Sequence, residues 1–302
     1  MTMLSDFHVY FGRDVLTARP VLRKLTPRDC FAALAEGFDD FRAMPSYVVF
    51  LGAIYVLAGV AIASMSSFAN ALELVFPLAA GFALVGPFLA VGLYEMSRRR
   101  EMGRAVDWRD AFAVLRSPAL PAIAALGVAL FVIFAWWIVA AEAIYVWLYG
   151  PAAPTSAATF IGDVLTTSRG WTLIAVGDLV GLAFAATALC LSVVSFPLLL
   201  DRDVGLVVAV TTSLRLARDN PQAVALWGVI VAALLVIGSL PLFAGLAIAL
   251  PILGHATWRL YRRAVVREPA REQPVEWPRE QPGRSPHDHA TPHAFLFPWR
   301  DA

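Results

Sequence analysis

Charge is what this sequence has least of: 16% of its 302 residues are Asp, Glu, Lys or Arg, while 59% are hydrophobic. A soluble domain carries about 25% charged residues, so the deficit argues against a large water-soluble core and for a membrane protein. Lysine is nearly missing; Lys24 stands alone among arginines, which suggests a GC-rich bacterial genome. A net charge of +1 gives no basic surplus, so no nucleic-acid partner is expected. The two cysteines, Cys30 and Cys190, are too few for a disulfide framework, and one lies in a charged segment while the other lies in an apolar one. No P-loop, Gly-x-Ser-x-Gly, His-Glu-x-x-His or paired-cysteine motif occurs. An enzyme is therefore not expected, and no catalytic residue, metal site or cofactor is assigned.

What remains is apolar and long. Six stretches divide the chain: Ser46–Phe68, Leu74–Tyr94, Ala119–Tyr149, Trp171–Leu200, Gln222–Gly238 and Ser239–Trp258. A span needs roughly 20 mostly apolar residues to cross a hydrocarbon layer about 30 Å thick. Read as one helix, Gln222–Trp258 would run to roughly 55 Å at about 1.5 Å per residue. Gly238-Ser239-Leu240-Pro241 offers a turn, so two short spans are expected there. The expected fold is all-α and polytopic: six transmembrane helices in three hairpins, with a segment 1–25 before the membrane domain 26–266 and a tail 267–302 after it.

Cations sort by gap. Six precede the first span, six lie in Glu95–Pro118, three in Asp201–Pro221 and eight from Arg259 onward, while the opposite gaps hold Arg169 alone. The positive-inside rule then places both termini in the cytoplasm of a multi-pass inner-membrane protein. The first 45 residues have no continuous apolar core, so no cleavable signal is expected and the first span is read as its own insertion signal.

Three segments share a plan: an amphipathic helix, a proline, an outward span and a return span carrying a second proline. The first helix opens at Thr26-Pro27 with Asp29 in its first turn, its Phe31, Leu34, Phe38 and Phe41 on one face and Arg28, Glu36, Asp39 and Asp40 on the other. The second runs over 107–116 with Trp108, Phe112 and Leu115 aligned, and the third over 203–220 with Leu206, Val210, Leu214 and Ala217 aligned. Each is expected either to lie flat at the cytoplasmic interface, apolar face down, or to fold over the bundle as a cap. Pro87, Pro197 and Pro251 lie near the cytoplasmic ends of the return spans and are candidate kinks. The plan suits a triplicated unit; the other reading is that proline is simply tolerated near bilayer interfaces.

Three motifs in order carry a resemblance. Gly86-Pro87-Phe88-Leu89-Ala90-Val91-Gly92-Leu93-Tyr94-Glu95 is followed by Ser97-Arg98-Arg99, then Ser195-Phe196-Pro197-Leu198-Leu199-Leu200-Asp201-Arg202-Asp203, then Pro251-Ile252-Leu253-Gly254-His255-Ala256-Thr257-Trp258-Arg259-Leu260-Tyr261-Arg262. Over roughly Cys30 to Val265 the chain resembles the bacterial family of predicted integral membrane proteins known as domain of unknown function 2189. The resemblance implies a multi-spanning inner-membrane protein and brings no activity, cofactor or catalytic residue.

Ionisable groups within spans are default functional candidates. Glu142 lies in the third span, Asp178 in the fourth beside Gly177 and Gly181, and His255 in the sixth. For the two carboxylates the choice is proton or cation handling, or a structural place near the outer headgroups. His255 is expected to donate to a backbone carbonyl of a neighbouring helix, with Trp258 and Tyr261 as interfacial anchors. Glu95 is expected to pair with nearby arginines on a solvated rim. A short helix is expected over 156–165, with Phe160, Val164 and Leu165 facing the membrane. The tail reads as disordered; its His287, Asp288, His289 and His293 form either a weak metal-binding cluster or, as is more usual for a flexible tail, an incidental one, and its apolar end 294–299 is a candidate partner-binding or membrane-touching motif. The leading functional expectation is a non-enzymatic accessory, assembly or organising component that associates with another membrane protein or with itself. The alternative is a small-solute or ion transporter or channel using the intramembrane carboxylates.

Overall fold

The start and end of the helical unit are tied together. Leu22 forms an isolated antiparallel bridge with Val265, the Arg23 N–H donates to the Ala264 carbonyl at 2.8 Å, and the Val266 N–H donates to the Val21 carbonyl at 2.9 Å. This computed structural model describes residues 20–44, 74–152, 154, 156–202, 204–241 and 244–267. The expected first span Ser46–Phe68, the first 19 residues and the tail from 268 onward lie outside the described residues. Met1–Val266 form one unit and Arg267–Ala302 another. Apart from the bridge, the regular structure among the described residues is helical.

Helix α1 (Pro27–Ala43) begins where the sequence predicts. The Asp29 carboxylate accepts from the Thr26 N–H at 2.8 Å and from its hydroxyl at 2.7 Å, which satisfies a first-turn donor, and Pro27 occupies the first helical position. The face it buries is not the aromatic one. Cys30, Ala33, Gly37 and Asp40 turn inward, whereas Phe31 and Phe38 stay exposed. A Cβ built on Gly37 would lie 2.5 Å from the Cα of Ala256, so only glycine permits this approach between α1 and the last helix.

Four helices among the described residues are long and apolar enough to cross a membrane: Phe76–Glu101, Leu120–Tyr149, Ser168–Asp201 and Pro221–Ser239. The first comprises α2 (Val75–Leu89) and α3 (Val91–Glu101), separated at Ala90, three residues after Pro87. The second is α4 (Leu120–Tyr149), closed by Gly150 at φ +84°, a conformation that side chains rarely adopt. After α5 (Ala157–Thr166) comes the third, formed by α6 (Ser168–Ser192) and α7 (Ser195–Asp201), whose break at Val193–Val194 includes the carbonyl that Pro197 cannot serve as donor. Helix α8 (Leu206–Asp219) leads to the fourth, α9 (Pro221–Ser239). Many of their outward residues are large and apolar: Phe131, Trp136, Leu179, Leu182, Val229 and Val236 are exposed, as suits a hydrocarbon surround.

Helix α10 (Leu246–Ala264) differs from the expected span Ser239–Trp258. It starts later, passes unbroken through Pro251 and continues into Arg259, Arg262 and Arg263. Much of it is enclosed by protein. Trp258 and Tyr261 are fully buried, so they are core residues and not interfacial anchors. Burying such aromatics contributes on the order of 1.5–3 kcal/mol each.

The two other short helices repeat the pattern of α1. Segment Trp108–Arg116 is a 3-10 helix, with three residues per turn, so Ala111 and Val114 share its inward side while Phe112 and Leu115 are exposed. In α8, Ala209, Thr212, Ser213 and Leu216 face inward, and Val207 and Leu214 are exposed. In each case small or polar residues share the inward side with one larger apolar residue, Val114 or Leu216, and other large apolar residues are left outside. Helix α5 lies over 157–166 with Phe160 set edge-on against Tyr145 and Tyr149, so that ring packs on protein.

Candidate functional site at the arginine-rich end

The polar groups of the unit gather where α1, α3, α7 and α10 meet. Helix α10 supplies the cations. Arg259 grips Asp40 of α1 with Nε at 2.8 Å and Nη2 at 2.7 Å, a two-pronged contact. Arg262 reaches Glu101 of α3 at 2.8 Å and Asp201 of α7 at 3.2 Å. Arg263 pairs with Asp29 and Glu36 of α1. One helix thus ties three others through arginines spaced three and four residues apart.

Asp40 is the centre of this arrangement. It is 1% exposed and accepts from Arg259, from Arg100 Nη1 at 2.7 Å and from the Ser97 hydroxyl at 3.0 Å. The Ser97 oxygen lies 2.8 Å from His255 Nδ1, and the imidazole is wholly buried. Burial would lower the Arg259 guanidinium, but the Asp40 carboxylate prevails and holds it above its ordinary range. The serine stands between the acid and the histidine. In a hydrolytic triad the histidine takes that middle place, so this order links three elements rather than arming a nucleophile.

Glu95 meets Arg98 and Arg99, each at 2.7 Å, as its spacing predicts. It is 3% exposed, however, and not solvated. Arg99 also pairs with Asp110 of the 3-10 helix. Tyr261 donates to Asp201 at 2.6 Å, and burial, reinforced by that carboxylate, pushes its phenol well above the ordinary range. Trp258 donates to Glu101 at 3.1 Å.

The sequence-derived candidates are not brought together. Glu142 on α4 is half-buried, and its Oε2 is buried with no hydrogen-bond partner. Asp178 on α6 is exposed. Among the described residues no hydrogen bond or ion pair joins them. His255 alone belongs to the polar cluster. Asp40, expected on a solvated face, is the residue that sequence reasoning missed most plainly. Its signal was available: Asp40 shares a helical face with Cys30, Ala33 and Gly37, the small residues that allow another helix to approach. Cys30 and Cys190 are both free thiols, and burial pushes the Cys30 thiol up. Among the described residues no group of three or more potential metal ligands occurs.

Part of the polar network, Glu95, Ser97, Arg98, Arg99, Asp201, His255, Arg259 and Arg262, lies in the three sequence motifs, whereas Asp40, Arg100, Glu101 and Arg263 lie outside them. Residues 75–201 match the family of predicted integral membrane proteins, domain of unknown function 2189. The match takes in the first of the three motifs, the second as far as Asp201, and three of the four long apolar helices. No curated protein and no solved structure matches the chain. A membrane protein of unknown function is thus what both the family and the apolar helices support.

Proposed function

We propose that the chain crosses the bacterial inner membrane six times with both termini in the cytoplasm, and that it acts by association, as an accessory or organising component. The partition of arginines supports the orientation. The exposed pairs Phe31 and Phe38, Phe112 and Leu115, and Val207 and Leu214 suit short helices lying in the cytoplasmic interface with their apolar sides in lipid.

The observation that carries the association reading is the mutual pairing at Asp40. Its carboxylate, Ser97, His255, Arg100 and Arg259 are used on one another, which makes a rigid platform rather than a polar route. A transport reading rests on the unsatisfied Oε2 of Glu142. Purification from native membrane in mild detergent is expected to yield a homo-oligomer or a stoichiometric complex with another membrane protein. A monomer whose reconstituted vesicles pass protons or cations, with the flux abolished in E142Q or D178N, would replace the association reading with transport. Reporters fused at Ala153 and after Val266 test the topology; a cytosolic Ala153 fusion would overturn it.

A further inference from the structure

A cavity of about 380 Å³ opens beside the polar cluster, between α3, the end of the 3-10 helix, the start of α4 and the end of α7. Four arginines line it, Arg98, Arg99, Arg116 and Arg202, against two carboxylates, Glu95 and Asp201. The carboxylates are already engaged. Glu95 holds Arg98 and Arg99, and Asp201 holds Tyr261 and Arg262. The cations are not used up. Arg99 is spent on Glu95 and Asp110, but Arg98 gives Nε and Nη2 to Glu95, which leaves Nη1, and Arg202, with Nη2 on the Val266 carbonyl at 2.7 Å and Nε 3.8 Å from Asp201, also keeps Nη1. Arg116 makes no hydrogen bond or ion pair among the described residues. Val114 and Leu199, both buried, add an apolar wall.

We propose that this cleft binds a phosphate group, carried either by an anionic phospholipid headgroup or by a free phosphate. A guanidinium presents paired N–H donors that match phosphate oxygens, and the excess of cations over carboxylates leaves the site short of negative charge. A basic pocket between membrane helices at their cytoplasmic ends is a setting in which acidic headgroups bind. The start of α4 at the cavity wall adds its positive end to the same field. The volume falls within the range of small-ligand sites, about 300–1,000 Å³.

The test uses the full chain purified in neutral detergent, with two probes. Inorganic phosphate is titrated calorimetrically. In parallel, phosphatidylglycerol retained after reconstitution in mixed phosphatidylglycerol–phosphatidylcholine nanodiscs and re-extraction is counted by native mass spectrometry. Retention of phosphatidylglycerol identifies a headgroup site, and phosphate binding without lipid identifies a soluble ligand. In either case R116A/R202A is expected to weaken the bound probe about tenfold, as loss of charge-assisted bonds requires, while phosphatidylcholine retention is unchanged. R116A alone, which breaks no bond of the described fold, is expected to weaken it severalfold with an unaltered unfolding temperature, and it decides the matter should the double variant not fold. Equal retention in wild type and R116A, binding of neither probe, or an equal fall for phosphatidylcholine overturns the proposal.

Discussion

Arg259 holds both carboxylate oxygens of Asp40 across 219 positions of sequence. A pair this well enclosed is worth little relative to an apolar substitute of the same size, yet breaking it on one side strands a buried charge. D40A is therefore expected to destabilise by about 3–5 kcal/mol, read as a lowered unfolding temperature in detergent. D40L/R259M is expected to recover much of that loss. If the single and double variants fall equally, the pair is not the source.

Gly37 sets the distance between α1 and α10. G37L is expected to force the helices apart, costing more than the 1–3 kcal/mol typical of an overpacked core, because the clash is with the Ala256 backbone and not with a flexible side chain. Increased protease cleavage near α1 would report it. Unchanged cleavage and unfolding temperature would show that α1 docks in another way.

Asp29 supplies an acid-dependent term. The Thr26 hydroxyl and N–H, and then Arg263, hold its carboxyl below the ordinary value of 3.8, despite partial burial. A folded-state value below the unfolded one stabilises above the unfolded value and loses that contribution as pH falls through the folded one. Wild type is therefore expected to lose stability more steeply than D29N below a pH of about 4, the ordinary carboxylate range. Parallel curves would count against the cap.

Tyr261 acts at the other end of the scale. Burial, followed by the Asp201 carboxylate, raises its phenol above the ordinary value of 10.0. A raised folded value leaves stability intact below the unfolded value and removes it as pH rises toward the folded one. Y261F is expected to flatten the alkaline loss of stability while costing roughly 1 kcal/mol at neutral pH for the bond to Asp201. Unfolding followed at pH 9 to 11 separates the two effects.

Glu142 keeps one oxygen buried without a partner. Replacing such a group by an apolar one of similar size is close to neutral or favourable. E142L is thus expected to unfold at or above the wild-type temperature. A drop of several degrees would mean that the carboxylate is bonded in the membrane.

Local features were legible without a structure. Thr26, Pro27 and Asp29 announce the start of α1 because a cap involves residues only three apart. The long apolar helices follow from composition and length, and Glu95 with Arg98 and Arg99 follows from helical spacing. Whether the apolar face of each short helix meets lipid or the bundle was left open by the sequence, and in α1 close approach to α10 turned the side of Cys30, Ala33 and Gly37 inward and left Phe31 and Phe38 exposed. Nor was the burial of Trp258 and Tyr261 legible, since their partners Glu101 and Asp201 lie in other helices. Hydropathy acts along the chain and can be read there; the mate of a buried charge is settled only when distant helices come within hydrogen-bonding reach.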